Sequence, residues 1–172
     1  MDVIRSRHLI WTLAKNDFRS RYLGSYLGLV WAFVQPLVNI LVLWFVFEVG
    51  FRVRPVNDYR FILWLMSGMV PWFFLSEVIM SGTASVVDQS FLVKKVVFRV
   101  SILPVVKIVS ALFVHGFFIL MMLVIFWLYG YPPTLQTLGV LYYLLAAVFL
   151  VLGVTWLTSA LCVFTLDVTQ IV

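Results

Sequence analysis

Residues 17–37 read DFRSRYLGSYLGLVWAFVQPL, and this stretch decides the fold: a basic, water-compatible segment turns within a few residues into an apolar run long enough to enter a bilayer. Arg19 and Arg21 suit water and lipid headgroups, Tyr22 and Tyr26 suit the interface, and from Leu27 onward almost every side chain is apolar. Gly24 and Gly28 lie four apart, so on a helix they bare one face to a close neighbour; the same pair would also make a simple flexible elbow.

Composition extends the reading to the whole chain. Of the 172 residues 64% are hydrophobic and 11% charged, whereas a soluble domain carries about 25% charged residues. Mean hydropathy is +1.11. A spanning helix needs about 20 apolar residues, and four runs qualify: residues 26–49, 61–82, 104–129 and 138–164. They lack the in-out alternation of barrel strands, so the expected fold class is an all-α membrane protein, with one amphipathic interfacial helix and four transmembrane helices. The residues before Tyr26 contain no short apolar core with a small-residue cleavage site, which argues against a signal peptide.

Lys and Arg set the orientation. Arg5, Arg7, Lys15, Arg19 and Arg21 precede the first span, and Lys94, Lys95, Arg99 and Lys107 lie in the second loop and the base of the third span. Arg52, Arg54 and Arg60 face the other side, so both termini are expected in the cytoplasm. The net charge of +5 is therefore a topology signal, and nucleic acid is excluded as a partner. Cys162, the single cysteine, sits in the fourth span as a small packing residue.

Within this frame residues 1–25 form the cytoplasmic segment, with a helix predicted from Ile4 to Tyr22. Trp11, Ala14, Phe18 and Tyr22 recur at helical spacing, while His8, Thr12, Lys15 and Arg19 line another face. Such a helix works either as a lever between cytosol and first span or as a passive anchor. In the first span Gln35, Pro36 and Asn39 fall on adjacent turns, with Trp31 and Trp44 to either side. Proline breaks a backbone hydrogen bond, and intramembrane amides usually face protein or a water-filled path, so this side is expected to be interior. The second span repeats the device with Gly68 and Pro71, followed by Trp72 and Phe73. Gln35, Pro36, Asn39, Trp44, Trp72 and Phe73 are therefore candidates for a translocation path. Glu77, toward the cytoplasmic end, is expected to pair with Lys94, Lys95, Arg99 or Lys107.

The loop at 83–103 contains SFLVKKVVFRVSIL, too polar to span and too apolar to stand free in water. It must lie on the bilayer or dock on a soluble partner.

Three separated motifs, residues 17–37, GMVPWFF at 68–74 and LVKKVVFRVSILP at 92–104, resemble the permease subunit of type-2 ABC exporters. They are most similar to the group exporting lipid-linked polysaccharides such as O-antigen, capsule and teichoic acid. The resemblance implies a multi-pass subunit of a bacterial or archaeal plasma (inner) membrane, working as a homodimer with a separate ABC ATPase that holds ATP and Mg. The chain itself would carry no cofactor, metal or catalytic residue, and no G-x-x-x-x-G-K-[ST] occurs in it. By the same resemblance Leu92, Lys94, Lys95, Phe98 and Arg99 form the ATPase-coupling loop, and Lys15, Arg19, Arg21, Tyr22, Gly24, Gly28 and Trp31 the interfacial helix and the approach to the membrane. Arg99 stands where the family usually has proline, and Leu166 where it has arginine. The family has six spans, so the expectation is a chain cut after the fourth, with a cytoplasmic tail at 165–172. Aromatic residues crowding the outer span ends suit either an interfacial belt or platforms for sugar rings. Two alternatives are a stand-alone four-helix protein binding or flipping a lipid-linked sugar, and a truncated non-transporting subunit.

Overall fold

A computed structural model of the chain describes residues 7–22, 28–53, 59–90, 100–165 and 167–172. Helix α1 runs Arg7–Tyr22, α2 Gly28–Trp44, α3 Phe61–Asp88, α4 Ile102–Leu128, α5 Gly139–Phe164, and a single turn, α6, Val168–Ile171. Four of the helical stretches are long and apolar enough to cross a membrane, and the fold is all-α.

Several boundaries differ from those the sequence suggests. The second spanning helix continues past Gly82 to Asp88, because Thr83, Ser85 and their neighbours turn hydroxyls onto helix backbone or onto α5 instead of ending the helix. The third helix begins at Ile102, which leaves Pro104 in its first turn, where a missing N–H is harmless. At its outer end α2 passes into a π-helical turn, Phe45–Gly50, in which the Phe51 amide donates to the Val46 carbonyl at 2.9 Å. Such wide turns occur where a side chain needs re-aiming.

Helix α3 is the centre of the bundle. Its Phe74 and Val78 pack with Ile108 and Ala111 of α4 and Val151 of α5. Farther out, Val70 meets Ala32 of α2 and Val114 and Phe118 of α4, and near the outer surface Phe61, Leu65 and Met66 enclose Ile40.

Helices α3 and α5 approach closely at one glycine. A Cβ built on Gly82 would lie 2.5 Å from Thr155 Cγ2 and 2.9 Å from its Cβ, so only glycine permits this approach. Beside it the Thr83 and Thr158 hydroxyls are hydrogen-bonded at 2.6 Å. Small residues bringing two backbones together, with hydroxyls as glue, hold helices where lipid supplies no hydrophobic drive.

Helix α1 packs on the cytoplasmic end of α4. Its buried line is Ile10, Ala14 and Asp17, with Ile10 and Ala14 meeting Ile102 and Val106. The expected stripe through Trp11 is thus rotated: Trp11 is 57% exposed and only its ring edge meets Phe113, with centroids 5.2 Å apart. A helix clamped against a second protein surface buries the residues facing that surface, not its most apolar stripe.

Candidate functional site

At the cytoplasmic end, the Lys107 Nζ lies 2.5 Å from Asp17 Oδ1, joining two residues 90 apart in sequence. Their side chains are 11% and 7% exposed, so the charges are held out of water and depend on each other. Of the four partners expected for Glu77, Lys107 is given by the structure to Asp17, while Lys94, Lys95 and Arg99 lie outside the described residues. The signal was available: Asp17 continues the 10, 14, 17 spacing of the line that α1 buries, and a lysine one turn inside an apolar span needs an acid within reach. Lys15 and Arg19 remain exposed on the other side of α1.

The beginning of α4 is also fastened to α5, since the Trp156 indole N–H donates to the Ser101 carbonyl at 3.0 Å. Phe18 and Trp11 both contact the Phe113 ring. One short stretch, Ser101 to Phe113, therefore ties α1, α4 and α5 together directly downstream of residues 91–99. Leu92, Lys94, Lys95, Phe98 and Arg99, the coupling-loop candidates, lie outside the described residues, as does Gly24. For Arg21 and Tyr22 the backbone alone is described, closing α1, while Gly28 is buried at the start of α2.

Within the membrane, Gln35 and Asn39 sit one turn apart on α2 and are exposed on the surface of the chain, together with Trp31, Val38 and Val42. The expected contact with protein or a water-filled path is therefore not made within this chain, whose opposite face of α2, through Ala32 and Ile40, is the one that packs on α3 and α4. No hydrogen bond forms on either amide among the described residues, and an amide in hydrocarbon demands another protein surface or water.

Pro36 and Phe73 meet at a cavity of about 40 Å³ between α2, α3 and α4, which Ala32, Glu77 and His115 also line. Pro36 has no N–H to offer the Ala32 carbonyl, so the helix bordering this space lacks one backbone hydrogen bond. A second cavity, about 380 Å³, lies between α3, α4 and α5, beside the other intrahelical proline, Pro71. His115 stands in the wall of both, its ring stacked on Phe74 with centroids 4.6 Å apart.

Trp72, 60% exposed, points away from these cavities, and Trp44 lies near the outer end of α2, where its indole N–H donates to Glu48 Oε2 at 2.5 Å. The path candidates thus divide among the exposed face of α2, the small cavity and the outer rim, and do not converge on one chamber. Sequence reasoning missed Glu48, whose four-residue spacing from Trp44 was its only cue. At the rim Tyr59 stacks near Tyr131 with centroids 4.8 Å apart, and the Arg60 guanidinium lies 5.3 Å from the Tyr129 ring centre, binding the start of α3 to the end of α4. Among the described residues no group of three or more His, Cys, Asp or Glu could hold a metal.

Residues 8–172 match the family profile described as ABC-2 type transporter. Over 171 residues the chain is 28% identical to the O-antigen export system permease protein RfbA of Myxococcus xanthus, covering 99% of the chain and 65% of that protein. Against an RfbA protein of Klebsiella pneumoniae it is 25% identical over 166 residues, covering 95% and 62% respectively. The chain therefore spans just under two thirds of the length of the curated relatives it matches.

Proposed function

The chain belongs to the ABC-2 type transporter family, and from that premise we propose that it is a membrane-spanning subunit of an ATP-driven exporter of a lipid-linked polysaccharide. The observation that carries the mechanism is the buried Asp17–Lys107 pair. A force applied by a cytoplasmic ATPase to residues 91–99 passes directly into the start of α4, and the ion pair obliges α1 to follow. Trp156 on Ser101 brings α5 with them. ATP and Mg belong to the partner, which shifts the equilibrium by binding two arrangements of the spans with different affinity.

The polar side of α2 supports a two-copy assembly. Gln35 and Asn39 are costly against lipid and useful against a second subunit or a hydrated path between subunits. The aromatic rim suits sugar rings passing outward, since flat faces bind them without requiring charge. The cargo class rests on the relatives, which are O-antigen export permeases.

The test is copurification of the detergent-solubilised chain with a cognate ABC ATPase, with and without simultaneous substitution of Lys94, Lys95 and Phe98. Association that disappears on substitution is expected. A folded chain that ignores the ATPase would refute the coupling scheme and favour a stand-alone binder of lipid-linked sugar.

A further inference from the structure

The larger cavity is a wedge. Every buried residue of α5 lies in its cytoplasmic half, at Val151, Thr155, Ser159 and Cys162, while none occurs from Gly139 to Leu150. Helices α3 and α5, clamped at Gly82 and Thr155, therefore separate toward the outside and leave a space of about 380 Å³ bounded by α4.

Its depth follows from helix rise. Ser67 to Phe74 lie six to thirteen residues below Phe61, and Met122 to His115 the same number below Leu128, which at 1.5 Å per residue is roughly 9–20 Å beneath the outer ends. The two helices are about 40 Å long and overshoot the hydrocarbon core, about 30 Å thick, by roughly 5 Å at each end, so the wedge occupies the outer half of the core and closes near the midplane at Phe74 and His115.

We propose that this wedge holds one acyl chain of an outer-leaflet phospholipid as a resident part of the structure. The walls are almost wholly apolar, and the Ser67 hydroxyl is already satisfied by the Trp64 carbonyl at 2.7 Å. The His115 imidazole at the base and the Tyr143 hydroxyl at the mouth are the other polar groups of the lining, too far apart to give water or a sugar a continuous set of donors and acceptors. Left empty, a space this large forfeits dispersion contacts over its whole lining. At the mouth stands Tyr143, 72% exposed and about one turn below the start of α5, with Tyr142 next to it in sequence and 70% exposed, where amphipathic rings mark the headgroup level. A lipid with its glycerol beside Tyr143 and its tail running inward past Ala147 and Met122 matches both ends. The proposal does not rest on the exporter reading, because it uses only the wedge and its depth.

The experiment uses the 172-residue chain in nanodiscs containing phosphatidylcholine with a diazirine near the end of one acyl chain, irradiated and mapped by mass spectrometry. Adducts are expected at Met122, Ile119 and Phe74. Ala147→Phe, which fills the wedge, should reduce them to the level of an unirradiated sample, whereas Ala146→Phe, on the neighbouring exposed side, should leave them intact. Should Ala147→Phe misfold, Val140→Phe blocks the mouth and must give the same loss. Labelling spread evenly over Leu120, Leu145 and Leu150 in every variant would overturn the proposal. So would inner adducts obtained only with a diazirine-bearing polyprenyl phosphate, or crosslinks from the wedge residues to a second copy of the chain.

Discussion

Asp17→Leu, Lys107→Met and the double substitution together test whether α1 is locked to the third span. Side-chain exposures of 7% and 11% exclude the surface regime, in which an ion pair contributes roughly 0–1 kcal/mol. Removing Asp17 leaves the Lys107 charge in an environment that cannot solvate it, and removing Lys107 takes a buried counter-charge from Asp17, which costs about 3–5 kcal/mol in either case. Removing both replaces the pair by apolar side chains beside Ile10, Ala14, Ile102 and Val106, where they have matching neighbours. Each single variant is therefore expected to lose about 3 kcal/mol, and the double variant to recover most of it. Because each 1.4 kcal/mol is a tenfold change, detachment of α1 should rise roughly a hundredfold in either single variant. The assay is reversible unfolding in bicelles, paired with the distance distribution between spin labels on exposed Asn16 and the cytoplasmic end of α5. Single variants that each lose under about 1 kcal/mol, or a double variant no better than the worse single one, would refute a buried, mutually dependent pair. If the exporter reading holds, the double variant should also keep its stability while coupling less ATPase activity to transport, because apolar packing holds α1 less directionally than an ion pair.

Gly82→Ala forces a methyl to within 2.5 Å of Thr155 Cγ2, and thermal unfolding in detergent should show a loss of about 1–3 kcal/mol, the usual range for overpacking. Adding Thr155→Ser, which removes that methyl, should restore part of the loss. Thr83→Val breaks the 2.6 Å bond to Thr158 and is expected to cost about 0.6 kcal/mol and no more than roughly 1.7, read in the same assay. Replacing Gln35 and Asn39 together by leucine should leave monomer unfolding within about 0.5 kcal/mol of the parent, as for substitutions on an exposed face, while weakening self-association measured by chemical crosslinking. Unchanged crosslinking would show that this side of α2 faces lipid.

The membrane class, the four spans and the family were legible because they depend on composition and on local order along the chain. Site residues were less legible. The stripe Trp11, Ala14, Phe18 and Tyr22 is the apolar side of α1 taken alone, but the helix rotates so that Asp17 meets Lys107, because a charge buried without its counterion costs more than an indole left exposed. Gln35 and Asn39 looked interior from chemistry; in this chain they are on the surface, since Ala32 and Ile40 fit α3 and α4 better.

By itself the sequence determined that this protein is a set of apolar helices crossing a bilayer, with a basic amphipathic approach and a family pattern spread over most of its length. Hydropathy and charge act residue by residue, so a linear string carries them fully. Which helix clamps which was decided only in three dimensions: Gly82 against Thr155, Lys107 on Asp17 rather than Glu77, and a wedge left open above Val151. Such contacts join residues as many as 90 positions apart, and they depend on steric fit and on pairing of buried charge, which become defined when the helices meet.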